Sequence, residues 1–109
     1  MTIGFASDPA LPPPSAAVVL WSPDGRPVSS AAAWSDGVLL ERDAGGRGAV
    51  TVIFPALPLL KGTYTVAAYL LCERGLLTYE MANPVATLEV SQSGIEQGTV
   101  FLQHHWAVE

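Results

Sequence analysis

The chain has 109 residues, half of them apolar and only 14% charged, with a net charge of −5. That is the length of one domain with one core, and the apolar share is opposite to that of a disordered chain. Its five basic residues, Arg26, Arg42, Arg47, Lys61 and Arg74, are scattered, so no basic run exists to neutralise phosphates or to hold an anionic bilayer.

In chain order, "TIGFA" (2–6) predicts a first edge strand. "LPPP" (11–14) is an extended connector, because consecutive prolines donate no ladder bonds. The segment 1–15 is therefore Pro-rich and poorly patterned. "AAVVLWS" (16–22) predicts a strand closed by a turn at Pro23, Asp24 and Gly25, where Pro presets φ and Gly accepts positive φ. "PVSSAAAW" (27–34) follows, then "SDG" (35–37) and "VLLER" (38–42). "DAGGRG" (43–48) reads as a loop, "AVTVIF" (49–54) as an alternating strand and "PALPLLKG" (55–62) as a crossover between sheets. A hairpin, "GTYTVAAYLLCERGLLTYE" (62–80), comes next, then a break at Asn83-Pro84, "VATLEV" (85–90), a loop (91–98) and a closing strand, "TVFLQHHW" (99–106). Helical periodicity is nearly absent. Seven to eight short strands with turns every 8–12 residues predict an all-β fold, an immunoglobulin-like antiparallel β-sandwich, with a small barrel as the alternative.

Alternation assigns faces. Tyr64, Val66, Ala68 and Leu70 form the more continuous apolar row and are expected in the core. Thr65, Ala67, Tyr69 and Leu71 are expected to point away. Tyr64 resembles a tyrosine corner, with its ring inside and its hydroxyl on the backbone. Tyr69 is then a partly exposed aromatic, used either in packing or subunit contact or as a stacking platform for a sugar. Trp21, beside the Pro23 turn, is expected to be half exposed, and Trp34 to sit at the sandwich end. Trp106 is expected to anchor the last strand.

The residues give little sign of catalysis. No phosphate-cradling Gly-rich motif with its Lys occurs, nor does a nucleophile elbow. Asp24, Asp36, Glu41, Glu73 and Glu80 are carboxylates without a surrounding motif, as glycoside hydrolysis would require. His104 and His105 are adjacent on a predicted strand and point to opposite faces, so they do not chelate one metal ion. Cys72 lies in an apolar run and reads as a small buried hydrophobe. The first 15 residues lack the basic start and apolar core of a signal peptide. No apolar run approaches the roughly 20 residues of a membrane span, and the expected location is the cytoplasm.

From the crossover to the C-terminus, the succession is a Leu-rich approach, Gly62-x-Tyr64, an alternating strand, an acidic-Gly turn, the pair Tyr79-Glu80, a strand ending in Val90, a Gly loop, "V-x-L" and Trp106. Over residues 54–106 this resembles the C-terminal carbohydrate-binding domain of Wzt, the ATP-binding subunit of ABC transporters that export O-antigen polysaccharide. The resemblance implies a sandwich that binds the polysaccharide on the cytoplasmic side, often at its non-reducing terminus. It also implies a partner ATP-binding domain that carries the hydrolysis, and a homodimer, in some members made by exchange of C-terminal strands. The framework matched is Gly62, Tyr64, Tyr79, Glu80 and Trp106. The expected function is that of a non-catalytic carbohydrate-binding module in lipopolysaccharide biosynthesis, with no cofactor and no metal. Its candidate binding residues are Trp21, Trp34, Tyr69, Tyr79, Glu80 and His104. The alternative is a structural or dimerisation domain whose outward aromatics meet a protein partner.

Overall fold

The computed structural model describes residues 1–108, and no helix forms among them. Six strands make two antiparallel sheets: β1 (Thr2–Ala6), β2 (Ser15–Trp21), β3 (Pro27–Ala32), β4 (Arg47–Thr51), β5 (Gly62–Leu71) and β6 (Thr78–Val90). One sheet has the order β3-β2-β5-β6 and the other pairs β1 with β4. The all-β sandwich follows from the short alternating runs, but it has six strands where the punctuation predicts seven to eight.

Three of the predicted runs differ from the strands observed. "VLLER" forms no strand. Val38 and Leu39 are exposed, only Leu40 is buried, and Arg42 is held by carbonyl and hydroxyl oxygens. Its guanidinium donates to Ser7 Oγ (2.9 Å) and to the carbonyls of Asp8 (3.0 Å) and Leu11. "TVFLQHHW" is a strand only in embryo, with a bridge between Leu59 and Val100 and two bonds, Leu60 N–H to the Thr99 carbonyl (3.0 Å) and Phe101 N–H to the Pro58 carbonyl. Beyond it Trp106 is 87% exposed, so it anchors nothing within the chain. Finally, "TYE" and "VATLEV" are one strand. β6 runs through the cis Asn83-Pro84 bond because the ladder takes up the surplus residues in a register shift: Val66 pairs with Ala86 and Ala68 with Ala82. β6 is an edge strand, where a proline's missing N–H is tolerated.

The predicted turn between β2 and β3 forms as expected. Gly25 has φ 81°, its N–H donates to the Ser22 carbonyl (3.0 Å), and the Ser22 hydroxyl donates to the Asp24 carboxylate. That hydroxyl, with backbone N–H and Arg26 contributing less, holds the Asp24 carboxyl below the ordinary carboxylate range.

Register defines the two faces of the larger sheet. Val18 opposes Ala68 and Leu20 opposes Val66, and Tyr64 opposes Leu88. Val18, Tyr64 and Val66 are buried, so this is the inner face, and Tyr64 and Val66 lie where alternation puts them. Ala67 does not. It belongs to the outward row yet has no exposure. It stands opposite Val19 on β2 and at the register shift in β6.

Two strands cannot cover four. Open clefts of about 580 and 600 Å³ remain between the sheets. The first is lined by β1 with Ala68, Leu70 and Ala82, the second by Val18, Leu20 and Val66 facing Phe54, Leu57 and Val100. The radius of gyration is 17.2 Å, against about 13 Å for a compact chain of this length.

Candidate functional site

The outer face of the β3-β2-β5-β6 sheet follows from the same register. Trp21 opposes Thr65, Val19 opposes Ala67 and Ala17 opposes Tyr69. β2 and β5 therefore present two aromatic side chains on one face, with Ala17, Val19, Thr65 and Ala67 between them. No charged side chain interrupts that floor. Tyr69 and Trp21 are both half-buried, as alternation predicts. The indole N–H of Trp21 is buried and has no hydrogen-bond partner, which costs about 1–3 kcal/mol for a donor withdrawn from water.

Trp34 follows β3, beside the start of β2 and across it from β5. The β2–β3 ladder continues past Ala32, with Ala33 N–H donating to the Ala16 carbonyl (2.9 Å) and Trp34 N–H to Ser15 Oγ (3.1 Å). The Trp34 side chain rests on the β5–β6 turn: its Cβ, Cγ and Cδ1 all lie 3.4 Å from where a β-carbon on Gly75 would stand. It is 52% exposed.

Tyr79 and Glu80 flank that turn. Leu71 pairs with Thr78 and Leu70 with Glu80, so Tyr79 is the extra residue of a bulge, 49% exposed. The bulge re-aims the strand at its end, as such insertions do at sheet edges. Glu80, opposite Leu70, belongs to the inner face and lines the cleft below β1. It is thus on the opposite face from Trp21, in a cleft whose lining also includes Tyr69. His104 is not brought to the sheet face either. It lies on the C-terminal tail, its ring 5.6 Å from Phe101 and 6.3 Å from Trp106, with Nδ1 2.7 Å from the Leu102 carbonyl.

Cys72 is buried, as its apolar setting predicts, and has a further role in the turn. Its sulfur accepts from Leu76 N–H (3.4 Å) and Leu77 N–H (3.3 Å). The Leu77 N–H above all holds the thiol below its ordinary pKa, against the opposing effect of burial. Among the described residues no three His, Cys, Asp or Glu side chains gather as metal ligands, and no helix is long and apolar enough to cross a membrane.

Of the six candidate residues, then, the fold puts Trp21 and Tyr69 on one face of β2 and β5, sets Trp34 beyond the start of β2 against the β5–β6 turn, puts Tyr79 at the edge of the same end, and separates Glu80 and His104 from Trp21. Sequence alone misses the floor, because Ala17 and Val19 become its members only through cross-strand register. It misses Gly75 as the seat of Trp34 for the same reason. Fold and surface define an antiparallel β-sandwich with aromatic side chains on its outer sheet face. The chain matches no protein-family model and no curated protein sequence.

Proposed function

We propose that this protein is a non-catalytic glycan-binding module that recognises O-antigen polysaccharide for export by an ABC transporter. In this role it works at the cytoplasmic side, beside the transporter's ATP-binding domain. The resemblance over residues 54–106 supports the family, and one observation carries the binding mode: Trp21 and Tyr69 share a sheet face across a floor of small, uncharged side chains. Pyranose rings present an apolar C–H face that stacks on such aromatics, and the surrounding hydroxyls keep their contacts with water or with a few polar groups. A hydrated polymer exchanges water bonds for protein bonds at small net gain, so each site binds weakly.

The test is an NMR titration of the full chain with polysaccharide from the producing organism. The Trp21 indole and Tyr69 ring resonances are expected to shift, the glycan to remain uncleaved, and Tyr69→Ala to weaken binding about tenfold, the equivalent of one stacked ring. Cleavage of the glycan, or no shift with any glycan, would overturn the proposal.

Dimerisation belongs to the same proposal. Phe101, Leu102, Trp106 and Val108 are exposed on a tail that departs from Val100, at the rim of the larger inter-sheet cleft. Exchange of these tails between two copies would cover both the tail and the cleft, and paired sites would raise the effective affinity. Sedimentation should find a dimer for the full chain and a monomer once residues 101–109 are removed. A full chain that stays monomeric at micromolar concentration rejects this part.

A further inference from the structure

Three rings lie over neighbouring strands, Trp34 after β3, Trp21 on β2 and Tyr69 on β5, and their spacing has a consequence for the length of ligand read. Tyr69 stands opposite Ala17, four residues along β2 from Trp21. Trp34 stands beside Ser15, six residues from Trp21. At the rise of an antiparallel strand, these offsets are about 13 Å and about 20 Å. Such a span is several pyranose rings long, and no single sugar reaches from Trp21 to Trp34.

We infer that Trp21, Tyr69 and Trp34 are successive stacking points for one chain, so that the ligand is an extended run of several sugar residues. The inference rests on the glycan-binding proposal and deepens it. Trp34 is seated for this purpose: Gly75 has φ 69° and no β-carbon, so the turn comes up against the Trp34 side chain and supports it while half of it stays exposed. A ring held by backbone loses little freedom when a ligand stacks on it, which favours binding. Between Trp21 and Tyr69 the face carries Ala17, Val19 and Thr65, with the Ala67 methyl fully covered.

The experiment titrates the full chain with a size-fractionated ladder, disaccharide to octasaccharide, made by partial hydrolysis of the producing organism's polysaccharide. Affinity should rise about tenfold from the disaccharide to the pentasaccharide, the gain from one further stacked ring, and then level off. The Trp21 and Trp34 indoles should shift together only with the longer members. Trp34→Ala, with a melting temperature matching the native chain, should lose the gain. Equal affinity for short and long members, or a Trp34 resonance unmoved by the octasaccharide while Trp21 and Tyr69 shift, overturns the inference and leaves glycan binding standing. If no ring responds at any length, both fall.

Discussion

Tyr64→Ala is expected to lower the free energy of unfolding by about 3–5 kcal/mol, the usual range for emptying a large aromatic site. Among the described residues Tyr64 is the one large side chain with no exposure at all. Its hydroxyl proton is shared between the Leu60 carbonyl (2.7 Å) and the Thr99 carbonyl (3.0 Å). The ring fills the inner face, and the hydroxyl ties both the crossover before β5 and the start of the C-terminal tail to the sheet. Tyr64→Phe separates the two contributions. It keeps the ring but leaves the buried Leu60 carbonyl without its donor, while Thr99 still accepts from Leu60 N–H. That costs about 1–2 kcal/mol. Urea denaturation of both variants measures the difference, and hydrogen exchange at Leu60 N–H reports whether the tail has come loose. An unchanged urea midpoint for Tyr64→Phe would mean that the hydroxyl is dispensable and the corner is only a packing feature.

The second large effect is expected at Gly46. Its φ is 85°, and a β-carbon there would collide with the Ser7 backbone carbonyl and sit 3.3 Å from Pro9 Cδ. The same glycine's carbonyl accepts from Ser7 N–H (2.8 Å) and Ser7 Oγ (3.0 Å). The close approach is what lets the β4 loop grip the end of β1. Gly46→Ala combines a left-handed backbone penalty of about 1–2 kcal/mol with a clash against main chain that cannot rotate away. A total of about 3 kcal/mol or more is expected, with early loss of exchange protection along β1. Gly45→Ala is the control. Its β-carbon would meet only Asp43 Oδ1, at 3.4 Å, and a change within about 0.5 kcal/mol is expected. Equal melting temperatures for the two variants would refute the account of Gly46.

What the sequence makes legible here is what local chemistry decides. The Pro23-Asp24-Gly25 turn, the extended prolines and the Tyr64 corner each depend on a few neighbouring residues, and each appears as expected. Along β5, alternation holds for Tyr64 and Val66 but not for the covered Ala67 or the half-buried Ala68 and Leu70. "VLLER" and "TVFLQHHW" have the same apolar character as true strands but do not become them. A strand exists only where a neighbour takes its hydrogen bonds, and nothing local to Val38 or Phe101 reveals that no such neighbour is present. β6 is the converse case, since Asn83-Pro84 reads as a break until β5 supplies a partner on both sides of it. The site follows the same division. That Tyr69 faces outward and Trp34 ends a strand is readable from period and punctuation. That Trp21 and Tyr69 share a face, that Trp34 comes to the start of β2, and that Glu80 lies on the opposite face from Trp21, is settled by the β2–β5, β2–β3 and β5–β6 registers, which are long-range.

The incomplete cover of the four-stranded sheet also bears on how the chain responds to temperature. Much of the apolar surface that a closed sandwich withdraws from water is already hydrated along the clefts and the tail. Unfolding of the monomer therefore adds less new hydration, and the heat capacity increment is smaller than chain length suggests. The stability curve is correspondingly shallow, with little stability at its maximum but a slow decline on either side of it.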